Sequence, residues 1–148
     1  MKLKVLKNCK KGPYVEFNST GKHWEDSSIF LEEVVFGVFS RCFDGSNENF
    51  NYFGATTFKE IELLSLHGAL KRFRTDLDEI SDTETFTKFI LFEPIGKNFL
   101  HELTTIDKID LNQNWKKIIK SLKDITETLL NLAMNCIEKK NVLWVLGI

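Results

Sequence analysis

Apolar and polar positions alternate at the start of the chain. Leu3 and Val5 are separated by lysine, and after the Gly12-Pro13 turn the run Tyr14-Val15-Glu16-Phe17 alternates again. A period of two sends successive side chains to opposite faces, so two short strands joined as a hairpin are expected. Asn18-Ser19-Thr20-Gly21 ends the second strand, and Asp26-Ser27-Ser28 offers N-cap oxygens for a helix from near Ile29. In that helix Leu31, Val34, Val35, Val38 and Cys42 share one face, while Phe30, Phe36, Phe39 and Phe43 widen the stripe until the helix is nearly all buried. Glu32, Glu33 and Arg41 mark its narrow wet side.

The segment Asp44 to Gly54, DGSNENFNYFG, reads as a loop because Asp-Gly, Asn and Ser favour turns. Thr57-Phe58-Lys59-Glu60 then fits a capping box and opens a second helix, in which Leu63, Leu66, Leu70, Phe73, Leu77 and Ile80 follow at helical steps. Phe86 to Phe92, FTKFILF, is a short apolar-rich run that reads as a strand on its Phe, Ile and Thr content, with a short helix as the alternative. Pro94 and Gly96 close it, and Asn98 to Leu103 fits one helical turn. From Asn114 to Lys139, Trp115, Ile118, Ile119, Leu122, Ile125, Leu129, Leu132, Ala133 and Cys136 keep helical period, with Lys116, Lys120, Lys123 and Glu127 on the opposite side. The tail, Val142 to Ile148, has the composition of a strand buried on both faces and is expected beside the N-terminal strands. Together these elements predict an α+β fold in a single domain, 1–148. Its small sheet comes from both chain ends, with 86–92 as a candidate further strand, and two or three helices cover it. A mainly helical bundle is the alternative.

Composition supports a packed core: 43% of the 148 residues are hydrophobic, 13 are Phe and only two are Pro. The first twelve residues carry five lysines (Lys2, Lys4, Lys7, Lys10 and Lys11) but no uninterrupted apolar segment of the length a secretion leader needs. Nowhere do about 20 apolar residues run together, so no membrane span is expected. Cys9, Cys42 and Cys136 are odd in number and widely spaced, which fits reduced thiols of a cytoplasmic protein better than a disulfide framework.

Familiar catalytic patterns are absent from the sequence. His101-Glu102 opens like a zinc-protease helix, but Thr105 stands where the second histidine is needed. There is no Gly-Lys-Ser/Thr phosphate loop, no G-x-G-x-x-G and no G-x-S-x-G. Cys42 with His67 or His101 is the one nucleophile and base pairing the sequence suggests, and His23, His67 and His101 lie far apart along the chain. The reading is therefore a protein without catalytic residues, metal or cofactor.

Charge changes the picture more than motifs do. The formal net charge is -1, yet residues 24–102 hold 15 acidic and 7 basic side chains, a net of -8, and the flanks together carry +7. The N-terminal lysines and the Lys116, Lys117, Lys120, Lys123 face could follow phosphates, but no aromatic residues interleave with them and no nucleic-acid motif accompanies them, so that reading is disfavoured. The acidic middle suits a basic protein partner. Interfaces combine aromatic anchors with complementary charge, and Phe50, Tyr52 and Phe53 lie near Asp44, Glu48, Glu32 and Glu33 in sequence. Folding back into the core is the other use those aromatics could have.

The acidic, aromatic middle and the terminal Lys139 to Ile148 stretch, KKNVLWVLGI, after a long helix together resemble the small immunity proteins of bacterial toxin-immunity systems, including those of contact-dependent inhibition. The likeness covers layout rather than a diagnostic motif, and carries no binding residue over. It implies a non-enzymatic cytoplasmic protein that binds and neutralises one cognate toxin domain, in many cases a nuclease, through an acidic surface. An uncharacterised regulatory or interaction domain, or a small enzyme, is the alternative.

Overall fold

The alternation at Tyr14 does form a strand, β1 (Tyr14–Asn18), in the computed structural model of the chain, which describes residues 1–10 and 12–147. Lys11 of the N-terminal lysine set and Ile148 at the end of the tail lie outside the described residues. With β2 (Ile29–Glu32), β3 (Ala55–Phe58) and β4 (Leu143–Leu146), β1 builds an antiparallel sheet in the order β2-β1-β4-β3. The register sorts the side chains cleanly. Val15 lies opposite Leu31, Phe17 opposite both Ile29 and Val145, Thr56 opposite Val145, and Phe58 opposite Leu143. These residues share the face that packs on the helices, where Phe17 meets Phe36 and Phe43 at ring separations of 5.9 and 5.7 Å.

The expected strand around Leu3 and Val5 is absent. Both neighbours of β1 are taken by β2 and β4, so the N-terminal segment cannot pair with β1 and lies instead at the outer edge of β2. There it makes a single bridge, Leu6 and Phe30 exchanging two backbone hydrogen bonds of 2.9 Å. The helix expected from Ile29 is also corrected. Ile29 to Glu32 is extended because β1 needs a partner on that edge, and helical structure starts only afterwards, as α1 (Glu33–Phe36) and α2 (Ser40–Asp44). Between them Gly37 lets Ile95 approach: a Cβ at position 37 would lie 2.9 Å from the Ile95 Cβ. The hydrophobic period continued through this break because both short helices are buried on the same core.

Thr57 and Phe58 belong to β3, a strand the sequence pattern had assigned to a capping box; Lys59 is the N-cap of α3 (Glu60–Asp78). Leu63, Leu66, Leu70, Phe73 and Leu77 of α3 are buried as their spacing predicts. Residues 86–92 are helical rather than extended and form most of α4 (Thr83–Phe92). The reason is a local cap. The Thr85 N–H donates to Asp82 Oδ1 at 2.7 Å and the Asp82 N–H donates to Thr85 Oγ1 at 3.1 Å, so two orphan donors are satisfied reciprocally. Phe86 and Ile90, four apart, then face the core. Helix α5 (Gly96–His101) runs on into a π-helical turn (Glu102–Ile106), and α6 (Leu111–Glu138) starts at an Asp110 side-chain cap.

Helix α6 packs along α3, and Ile118, Leu122, Ile125, Leu129 and Ala133 supply its buried stripe. Burying each such aliphatic side chain contributes roughly 1.5–3 kcal/mol. Ion pairs join the exposed margins of the same two helices, Arg74 with Glu127 and Lys123 with Asp78. Solvated pairs of that kind are screened by water and contribute little, so apolar packing holds the helices together.

β4 is central, as the tail composition predicts, and its side chains divide between faces. Leu143 and Val145 enter the helix-packed core, whereas Trp144 is half-buried on the other face with its indole against Gly21. Deleting residues 142–148 is expected to abolish cooperative folding, and Leu143→Ala to reduce stability by about 2–5 kcal/mol in urea denaturation. A soluble truncated chain with a single sharp transition would show that β4 is dispensable.

Candidate functional site

The acidic and aromatic residues singled out from the sequence come from three segments. Glu32 ends β2 opposite Tyr14, Glu33 opens α1, and Asp44 ends α2. Glu48, Phe50, Tyr52 and Phe53 sit in the loop between α2 and β3, which Asn side chains organise. Asn47 Nδ2 donates to the Thr57 carbonyl at 2.8 Å, and Oδ1 atoms of Asn47 and Asn51 accept from the backbone two residues on. Two of the three aromatics fold back. Phe50 is half-buried against Phe36, Phe43 and Phe58, and Tyr52 lies 5.6 Å from Phe36 with its hydroxyl donating to the Glu33 carbonyl at 3.3 Å. Burial, with Glu33 beside it, pushes the Tyr52 hydroxyl up to about 12.

Phe53 is different. It is 72% exposed and stands edge-on against Tyr52 at 5.1 Å. The structure thus gathers Glu33, Tyr52 and Phe53 in one place, while Asp44 and Glu48 are exposed on the same loop system. None of Glu32, Glu33, Asp44 and Glu48 forms an ion pair among the described residues. The basic face of α6 is partly neutralised by contrast, since Lys123 pairs with Asp78 and Lys120 with Asp124.

A second constellation lies on the sheet face away from the helices, and the sequence pattern missed it. Alternation places Glu16 on the face of β1 opposite Val15 and Phe17, and there the segment 19–28 folds over it and leaves it only 3% exposed. Three donors converge on its Oε1: the Trp24 N–H at 2.7 Å, the Ser28 hydroxyl at 2.6 Å and Asn18 Nδ2 at 3.3 Å. Ser28, a candidate helix cap by sequence, therefore caps a carboxylate instead. Asn18 braces the same segment, accepting from the Thr20 and Gly21 N–H groups and donating to the Lys22 carbonyl. The other carboxylate oxygen, Oε2, has His23 Nδ1 at 3.3 Å.

Glu16 and His23 wall a cavity of about 290 Å³ together with Cys9, Lys10, Tyr14, Trp24 and Phe30. Left-handed backbone concentrates around it. Of the six described residues with positive φ, Asn8 (59°), Gly12 (127°), Gly21 (73°) and Trp24 (61°) lie in the two segments that approach this cavity. For a bulky side chain such as Trp24 that conformation costs on the order of 1–3 kcal/mol. It leaves the indole 62% exposed.

Cys42 makes no hydrogen bond to His67 or His101 among the described residues, and desolvation pushes its thiol up to about 12. Such a thiol is inert at neutral pH. Near it Glu93 is buried with Oε2 lacking a hydrogen-bond partner, while Arg41, 4.0 Å away, lies over the Phe92 ring. No helix among the described residues is long and apolar enough to cross a membrane. Comparison with family models, curated proteins and solved structures returned no match.

Burial pushes the Glu93 carboxyl from its ordinary 4.5 up to about 7, with Arg41 opposing. The folded chain therefore holds this proton more tightly than the unfolded chain. Stability contributed by the neutral form is complete below about 4.5 and is lost as pH rises through about 7. Glu93→Gln is expected to remove that loss and to raise stability at pH 8 by up to about 3 kcal/mol. Urea melts at pH 5 and pH 8 test this; an identical pH dependence in both proteins would place Glu93 in solvent.

Proposed function

We propose that this chain is a non-enzymatic immunity protein that binds and neutralises a cognate bacterial toxin domain in the cytoplasm. The observation that supports this reading is Phe53, 72% exposed and propped edge-on by Tyr52, on a loop system whose carboxylates have no ion-pair partners among the described residues. An aromatic anchor that leaves water on binding supplies affinity, and unpaired acidic groups around it steer a basic partner. A nuclease surface evolved for phosphates has the complementary charge, and an acidic protein seated there would exclude the nucleic acid.

The partner to test is the C-terminal domain of a toxin encoded immediately upstream, with binding kinetics measured at several salt concentrations. Reversing Glu32, Glu33, Asp44 and Glu48 to Lys should slow association and flatten its dependence on salt. Phe53→Ala should instead speed dissociation, weakening the complex by about 2 kcal/mol, and leave the melting temperature unchanged. Phe50→Ala should lower the melting temperature, because that ring packs inward. Absence of a complex at micromolar concentration, or a complex indifferent to these changes, rejects the reading.

A further inference from the structure

We propose that the cavity beneath Trp24 is a receptor for one arginine side chain presented by a partner protein. The inference rests on the protein-binding reading above and names what that partner offers. Its floor is the Glu16 carboxylate, which is 3% exposed. Oε1 is satisfied by three donors from the chain itself, whereas Oε2 has, among the described residues, the His23 ring as its one hydrogen-bond neighbour, on a side chain that is 58% exposed and lies 5.8 Å from the Trp24 ring. One carboxylate oxygen is therefore held rigidly in place and the other is left to receive a donor from the cavity.

The wall of the cavity points to a cation with a planar face. Trp24 adopts a positive φ, and its own N–H is fixed by Glu16, so the floor and the exposed indole are positioned by one hydrogen bond. Nothing in apolar burial rewards that strain, since the ring is 62% exposed, while strain of this kind persists where a ligand contact uses it. An indole face attracts a guanidinium electrostatically and stacks on it, and a carboxylate oxygen binds its N–H groups with charge assistance. A guanidinium is also planar and more weakly hydrated than an ammonium, which favours arginine over lysine. About 290 Å³ suits one long side chain rather than a folded segment.

Placement ties the cavity to the proposed interface. Tyr14 of its wall is the cross-strand partner of Glu32. Gly147, also in the wall, donates its N–H to the Gly54 carbonyl, next to Phe53. A basic partner seated on Glu32 and Phe53 thus has this cavity at its edge. Lys10 lines the mouth without pairing with Glu16, whose only ion-pair neighbour among the described residues is His23, and so acts as a competing cation.

The test titrates the full chain with the peptide acetyl-Gly-Arg-Gly-amide and follows by NMR the Trp24 indole signal and, in every variant, the backbone N–H signals of Glu16, residue 24 and Gly147. Saturable shifts at millimolar peptide are expected, with weaker shifts from the lysine peptide and none from the norleucine peptide. Trp24→Gly should reduce affinity about tenfold or more yet keep or raise the melting temperature, because glycine adopts positive φ without strain. A purely structural tryptophan would do the reverse, lowering the melting temperature and leaving the shifts intact, which would overturn the proposal. Lys10→Ala should raise affinity. Equal responses to the arginine and norleucine peptides would also overturn it. Because the peptide replaces the toxin domain, this failure is distinct from failure of the immunity reading: a toxin complex sensitive to Phe53→Ala but not to Trp24→Gly rejects the cavity alone.

Discussion

The seating of β4 between β1 and β3 is the constraint on which the other elements depend. Without it β1 keeps one partner, β3 keeps none, and both present unpaired backbone groups beside an apolar face. Its side chains also reach both layers. Leu143 and Val145 complete the floor on which the aromatic cluster of Phe17, Phe36, Phe43 and Phe58 rests, and Leu146 and Trp144 lie under the opposite cover. One four-residue strand thereby joins the helical layer to the segment that encloses Glu16.

The two faces of the sheet are closed by different physics. Helices bury a continuous apolar surface on one side, a non-directional contribution proportional to area. On the other side a short loop closes over a charged group, which is tolerable only because nearly every polar atom has a partner, from Asn18 through Ser28 to the Trp24 amide. Such a network specifies geometry as well as stability. It fixes where Trp24 sits, whereas neighbouring residues of the helical layer could exchange size among themselves and keep the core.

The long elements were legible because their apolar period is long. α3 and α6 place at their buried positions the residues that spacing selects, and the tail strand follows from an uninterrupted apolar run after a helix. Short runs were read wrongly in both directions. Ile29 to Glu32 looks helical from its neighbours but pairs with β1, and FTKFILF looks extended but is decided by the cap at Asp82, four residues upstream of Phe86. A four-residue segment has too few positions for periodicity to outweigh tertiary pairing. In the loop between α2 and β3 the sequence left two uses open for the aromatics, and the structure divides them: Phe50 and Tyr52 pack inward, as folding back into the core requires, while Phe53 is exposed. The Glu16 cavity was invisible for a definite reason: alternation tells which residues share a face of a strand, and says nothing of what covers that face.

The order in which the chain is synthesised gives the sheet topology a further consequence. β1 and β2 can pair early as a local hairpin, but β3 has no strand beside it until the ribosome has delivered residues 143–146, after the whole of α6. Throughout that interval the apolar faces of β1 and β3 and the stripe of α3 have no completed layer to enter. The aromatic cluster of Phe17, Phe36, Phe43 and Phe58 therefore gains its complete sheet floor only when the last strand is added, and the sheet closes on a contact between the two ends of the chain.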